Sequence, residues 1–284
     1  MTSFGAWVRR LDSRIDLCPR RVRALGVSLS PTLRPAPPAP RSLKLLSFNI
    51  QVAIGASAYR HYVTHGWKHL LPHTGARGNL DRIADVIGDY DVVALQEIDN
   101  GSLRSRNVNQ VHYLAERAAF PFWYSQLNRD LGRLAQHGNG VLSRVAPASV
   151  EDHKLPGAIP GRGAILVRLP FGDGELTLVL LHLSLGQRSR HRQLEYVRRL
   201  IETEPRVVVM GDMNSHLTGL LVGSPLAGSR LRAAGGTEPT YPAWRPARAL
   251  DHILVSPGLA VRGFEVLDCR LSDHRPIAVT LDCV

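Results

Sequence analysis

Asp212 and Asn214 stand two residues apart, directly after the run Val207-Val208-Val209-Met210-Gly211. Three β-branched residues in succession read as a buried strand, and Gly211 lets the backbone turn sharply at its tip. A carboxylate there can take a proton or bind a hard cation, and the neighbouring carboxamide can hold an oxygen. A single strand tip of this kind is a common solvated turn. This chain repeats it. Asn49 closes the apolar run that starts at Leu43, Glu97 follows Val92-Val93-Ala94-Leu95-Gln96, and His182 closes the run from Leu176. Ser272-Asp273-His274 stands just before another run, and Asp251 opens an apolar segment in Ala249-Leu250-Asp251-His252-Ile253. A buried carboxylate at such a place is costly without a partner. The prevalence of acids and amides suits Mg²⁺ or Mn²⁺, which prefer oxygen ligands; zinc would call for more His or Cys. Arg162, in Gly161-Arg162-Gly163, opens a further strand, where a guanidinium can fork onto a phosphate or simply face solvent.

The elements that must carry these groups are readable from periodicity. Strands are expected over residues 43–50, 91–95 (ending in Gln96-Glu97), 140–142, 164–169, 176–182, 207–210, 250–255, 264–267 and 276–281. Helices are expected over 79–87, where Leu80, Ile83, Ala84 and Ile87 share a face, over 109–119, and over 189–202. Strands interleaved with a few helices imply a layered α/β sandwich, with sheets inside and helices outside.

The bulk composition sets bounds on partner and place. The chain has 284 residues, with 44% hydrophobic and 21% charged content, ordinary for a globular domain. Its formal net charge of +11 favours a polyanionic partner: nucleic acid, an anionic phospholipid surface or a phosphorylated small molecule. An Arg-rich proteome is the bland alternative. Cys18, Cys269 and Cys283 show neither metal spacing nor an even-numbered framework, so a reducing, cytoplasmic setting is expected. No apolar run is long enough to span a bilayer, and no secretory h-region is evident. Residues 1–41 read as a separate extension before a domain at 42–284. Phe4, Trp7, Val8, Leu11 and Ile15 fall at helical spacing among arginines, and Pro35, Pro37, Pro38 and Pro40 form a stiff linker. Residues 1–23 are a helix docked on the chain's own domain, a frayed tail, or a basic amphipathic helix in peripheral contact with an inner membrane.

The segments Leu46-Ser47-Phe48-Asn49-Ile50, Leu95-Gln96-Glu97, His182-Leu183, Gly211-Asp212-Met213-Asn214 and Ser272-Asp273-His274-Arg275-Pro276 occur in a fixed order and spacing. In that respect the chain resembles the endonuclease/exonuclease/phosphatase superfamily, the deoxyribonuclease-I-like fold, from about residue 43 onward. The stretches Gly138-Asn139-Gly140-Val141-Leu142-Ser143-Arg144 and His191-Arg192-Gln193-Leu194 look closest to a compact bacterial branch. The resemblance implies a four-layer α/β/β/α sandwich of two packed mixed β-sheets and a Mg²⁺- or Mn²⁺-dependent phosphoester hydrolase. It implies roles as well. Glu97 would be the principal metal ligand, with Asn49 and Asp273 close by. Asp212 would orient or deprotonate the attacking water, while Asn214 and His182 hold phosphate oxygens. His274, paired with Asp251, would stabilise the transition state, and either Asp212 or His274 would serve as base. Asn139 would be a hydrogen-bond donor at the rim.

The resemblance fixes the bond broken better than the molecule. The long connection 51–78 leaves beside Asn49 and carries Tyr59, Arg60, Tyr62, Trp67 and Lys68, with His61, His65, His69 and His73 spaced by four. Gly66 and Pro72 argue against one helix there, so a substrate-facing rim is expected, with Trp67 and Lys68 as contacts. Aromatic and basic groups suit stacked bases and phospholipid headgroups alike. Three readings therefore stand: a nuclease on DNA or RNA, a phosphodiesterase or phosphatase on a lipid or small phosphoester, and a binder that keeps the fold without catalysis. The full set of polar tips argues against the third.

Overall fold

The computed structural model describes residues 20–21, 26–27, 38–53, 75–157 and 161–284. The amphipathic reading of residues 1–15, the proline linker up to residue 37, and the rim carrying Trp67, Lys68 and the four histidines lie outside them.

Two seven-stranded sheets pack face to face. One contains β1 (Arg20–Arg21), β7 (Ser149–Lys154), β8 (Gly163–Phe171), β9 (Gly174–His182), β10 (Val207–Asp212), β11 (Arg232–Ala233) and β12 (Asp251–Val255), in the order β1-β7-β8-β9-β10-β12-β11. The other contains β2 (Gly26–Val27), β3 (Ser42–Asn49), β4 (Val92–Asp99), β5 (Phe122–Asp130), β6 (Gln136–Ser143), β13 (Leu259–Val266) and β14 (Ile277–Cys283), in the order β13-β14-β3-β4-β6-β5-β2. Both sheets are mixed: β3 runs parallel to β4 and β9 parallel to β10, while the other pairings are antiparallel. Helices α1 (Ala76–Ile87) and α2 (Gln110–Arg117) cover one outer face, and α3 (Gln187–Leu200) with the short α4 (Leu217–Leu221) covers the other. The expected four-layer sandwich is the one observed. No described helix is long and apolar enough to cross a membrane.

Residue alternation explains the layering. Along β10, Val208 and Met210 enter the core between the sheets, whereas Val207 and Val209 pack with Leu194 and Val197 of α3. Along β3 and β4, Leu45, Val92 and Ala94 point between the sheets, and Leu46, Phe48, Val93 and Leu95 meet Ile83, Ile87 and Leu114 of the helices. Strands covered on both faces read as continuous apolar runs, which is why these were visible in the sequence.

Several expectations need correction. The strands Phe122–Asp130 and Ser149–Lys154 were not anticipated: FWYSQLNRD and SVEDHK are half-polar because the strands lie toward the sheet edges. β4 does not end at Gln96-Glu97. It continues to Asp99 through a register shift against β6 between Leu95 and Ile98, where Glu97 takes a left-handed φ of 53°. β13 begins five residues before the expected 264, through an irregularity between Val261 and Gly263. Two short pairings also join the sheets from before residue 42, of Arg20–Arg21 with β7 and of Gly26–Val27 with β5, which leaves the division at that residue as an expectation.

Gly211 is the sharpest local constraint. Its φ is +145°, and a Cβ would lie 1.9 Å from the carbonyl oxygen of Leu181 on the adjacent parallel strand. Neither the conformation nor the space admits another residue. Gly211→Ala is expected to destabilise the protein by about 3 kcal/mol or more, read by urea unfolding; a loss below about 1 kcal/mol would show that the strand tip can relax around a side chain.

Candidate active site

Parallel pairing brings the polar tips together. Asp212 on β10 is in register with His182 on β9 and with Asp251 on antiparallel β12, so three functional groups stand abreast at one end of one sheet. Asn49 ends β3 in the facing sheet, and its Nδ2 donates to Asp212 Oδ2 across the sandwich at 3.1 Å. Ile277 of β14 pairs with Ser47 of β3, which sets Asp273 and His274 at the same end.

Asp212 is the hub. Its Oδ1 accepts the Asn214 backbone N–H at 3.0 Å, and Asn214, with a left-handed φ of 48°, turns its amide to donate to Leu183 O at 3.0 Å. Asp212 Oδ2 lies 3.3 Å from His182 Nε2 and 3.8 Å from His274 Nε2. His182 Nε2 is also 3.8 Å from Glu97 Oε1. His274 Nδ1 is 2.8 Å from Asp251 Oδ2, which also accepts from Thr240 Oγ1 at 2.5 Å. Tyr241 stacks obliquely on the His274 ring, with centroids 4.9 Å apart. Thr240 and Tyr241 were not foreseen, because a hydroxyl and an aromatic in a loop carry no periodic signal.

The two histidines have opposite charge states. Burial holds His182 well below the usual imidazole range, and Arg162 reinforces this. Arg162 Nη1 sits 2.6 and 2.7 Å from the two ring nitrogens. A guanidinium can only donate, so it meets the unprotonated nitrogen of a neutral ring. With His182 neutral, its contacts with Asp212 and Glu97 are dipolar rather than ionic. For His274, burial opposes the charge, but Asp251, Asp212 and Asp273 overcome it and raise its pKa well above the usual range. Burial also raises Asp212 to about 7, against the pull of His274 and with the push of Asp251 and Glu97. Asp273 is raised to about 6 by burial, with Glu97 adding to the effect against His274.

Two residues expected at the rim have defined partners. Arg162 does not stand free before its strand; its guanidinium is half-buried against His182. Asn139 is buried, and its Nδ2 donates to Gln126 Oε1 at 3.2 Å and to Gly163 O at 3.1 Å, tying the two sheets together. Its N–H groups are spent on that tie because β6 turns this side chain inward. Both residues border a cleft of about 570 Å³ that also includes Glu97, His137 and His182.

The ligand atoms of Asp212, Asp251 and His274 all lie within 4.8 Å of one another, and such a group can hold a metal ion. There, however, His274 Nδ1 and Asp251 are already bonded to each other. A hard cation fits better beside Glu97 and Asp273, whose charges interact without a hydrogen bond between them. Asn49 brings an amide oxygen nearby, engaged only by the Gln51 N–H at 3.2 Å among described residues. With Asp212 and Asp251 this makes four carboxylates against two cations, Arg162 and His274. A divalent ion there would favour the ionised forms of Asp212 and Asp273, which burial holds back.

A two-sheet α/β sandwich with convergent polar strand tips defines a class of protein. The endonuclease/exonuclease/phosphatase family matches residues 46–274, and this chain belongs to it. No curated protein matches the sequence. Among solved structures, an endonuclease/exonuclease/phosphatase from Beutenbergia cavernae DSM 12333 is similar at 23% identity and a TM-score of 0.69, over 86% of this chain and 72% of that one. A mannosyl-6-phosphatase from Bacteroides thetaiotaomicron VPI-5482 is similar at 20% identity and a TM-score of 0.61, over 84% and 99%. ANGEL2, a 2′,3′-cyclic phosphatase solved with adenosine-2′,3′-vanadate, is similar at 14% identity and a TM-score of 0.64, over 85% and 96%. At these identities the likeness is one of fold.

The raised acid has a consequence for stability. With its folded pKa at about 7 against the ordinary carboxylate value of 3.8, Asp212 holds its proton in the folded state where the unfolded chain has lost it. Its contribution therefore falls as pH rises through that window. His274, raised above 6.5, contributes stability that is complete below 6.5 and is lost as pH rises through its folded pKa. Without added metal, Asp212→Asn is expected to gain stability relative to the wild type as pH rises from 4 to 7, measured by urea unfolding across the range. A wild-type-minus-variant difference that stays flat with pH would show that Asp212 is ionised throughout.

Proposed function

We propose that this chain is a Mg²⁺- or Mn²⁺-dependent phosphodiesterase that cleaves a P–O bond with an activated water, acting on nucleic acid. The observation that carries the reading is the continuous chain of contacts Glu97–His182–Asp212–His274–Asp251, with links of 3.8, 3.3, 3.8 and 2.8 Å. It brings an acid, a neutral imidazole, a buried carboxyl and an imidazolium held by a second carboxyl within contact of one another. Glu97, with Asn49 and Asp273, would hold the metal, which when bound neutralises phosphate charge and polarises the P–O bond.

The remaining roles follow from charge state. Asp212 is fixed by Asn49 and the Asn214 N–H, and a pKa of about 7 suits it to take a proton from water near neutral pH. His274 is cationic and cannot take that proton; held by Asp251, it meets the negative charge that builds on the phosphoryl oxygens. His182 supplies a neutral N–H and Asn214 an amide close by. Arg162 braces His182 and adds positive charge beside the phosphate site. The net charge of +11 favours a polyanionic substrate and, with the cleft, supports nucleic acid as first choice. The activities named for the mannosyl-6-phosphatase and for ANGEL2 keep a small phosphoester as the second reading; for a lipid phosphoester, residues 1–23 would be the membrane contact.

Bis-p-nitrophenyl phosphate hydrolysis with added Mg²⁺ or Mn²⁺ is the first test. Glu97→Gln should abolish metal-dependent turnover with the fold intact, and His274→Ala should lower kcat by roughly 10²–10³-fold. Turnover that is independent of metal, or unaltered in Glu97→Gln, would remove the assignment.

A further inference from the structure

Arg129 and His137 border the same cleft as Glu97 and have no part in the roles above. They are direct cross-strand partners on β5 and β6, which sets their side chains next to each other on one face. Arg129 is exposed and has no ion-pair or hydrogen-bond partner among described residues. His137 is half-buried, and Arg104 Nη1 lies 3.2 Å from its Nε2. Since a guanidinium only donates, Nε2 is the acceptor and the ring proton resides on Nδ1. Burial, and then the Arg104 charge, hold His137 below the usual range, so the ring is neutral.

Arg104 has little freedom to release this tautomer. Its Nε and Nη2 both donate to Asp99 Oδ2, at 3.1 and 2.8 Å, and both residues are buried. Asp99 is itself saturated by the N–H groups of Gly101 and Ser102 and the hydroxyls of Ser102 and Ser105, at 2.7–2.9 Å. Those donors keep its pKa low despite burial, which pushes the other way. A buried anion thus fixes a cation, the cation fixes a ring, and the ring is left with one directed N–H. No described residue takes a hydrogen bond from His137 Nδ1. An arrangement of this rigidity is more than fold stability requires, because the Asp99–Arg104 pair is complete without the histidine.

We propose that Arg129 and His137 form a second-phosphate subsite. Arg129 supplies charge and His137 Nδ1–H a directed hydrogen bond to an oxygen of the phosphate next to the one hydrolysed. This rests on the phosphodiesterase reading and deepens it. A nucleic-acid strand presents a second phosphate one nucleotide away, whereas a simple diester has none. The Glu97 carboxylate faces the same cleft, so anion binding there requires the metal beside Glu97. Arg104 and Asp99 are positioning residues for His137.

The test is calorimetric binding to the full-length, Ca²⁺-loaded protein, comparing adenosine 3′,5′-bisphosphate with adenosine 5′-monophosphate. The bisphosphate should bind roughly tenfold tighter, the increment of one charge-assisted hydrogen bond. His137→Leu should erase that gap. His137→Gln, whose amide can accept from Arg104 and donate into the cleft, should retain most of it. Circular dichroism and melting check that both variants fold, and ¹⁵N shifts of His137 should report a protonated Nδ1 at neutral pH. Equal affinities in the wild type, a gap that survives His137→Leu, or a protonated Nε2 would overturn the proposal. A gap confined to inositol 1,4-bisphosphate over inositol 1-phosphate would overturn the nucleic-acid assignment. Failure of the hydrolase reading shows separately, as absent wild-type turnover of bis-p-nitrophenyl phosphate with Mg²⁺ and Mn²⁺.

Discussion

A carboxylate buried at the tip of a fully apolar strand is the constraint on which the rest depends. Asp212 is almost inaccessible, and taking its charge out of water costs several kcal/mol in principle. The fold offsets part of that cost: Asn49 donates from the facing sheet, the Asn214 N–H from the next turn, and the cationic His274 stands 3.8 Å away. Apart from the local Asn214 N–H, none of these is within reach until the two sheets have packed and β9, β10 and β12 are in register. Stability and chemistry are therefore set by the same packing event. Gly211 belongs to that event, because its open conformation lets the strand turn Asp212 toward the other sheet while staying against Leu181.

The pocket also shows how one residue type serves two electrostatic ends. His182 and His274 each lie within 4 Å of Asp212, yet one is neutral and the other cationic. Their second neighbours make the difference. Arg162 packs on His182 and excludes a second positive charge; Asp251 holds His274 and invites one. The same logic, run in reverse order, links buried Asp99 through Arg104 to His137 at the cleft. In each case a charged partner sets the tautomer or charge of a histidine.

The sequence by itself determined the double-sided apolar strands and the polar groups at their ends, since a residue's burial on its own strand is written in its period and its type. Asn49, His182, Asp212, Asn214, Asp251, Asp273 and His274 were legible on that basis, and so was the layered architecture. Glu97 was legible as a residue but not as a bulge, because a bulge is a mismatch with β6, and no local pattern records what the neighbouring strand does. Tertiary structure alone decided that Asn139 is spent between the sheets, that Arg162 rests on His182, and that Phe122–Asp130 and Ser149–Lys154 are strands. It alone paired Arg129 with His137. Those outcomes are fixed by partners far away in the chain, and a side chain's partner, unlike its burial, has no period.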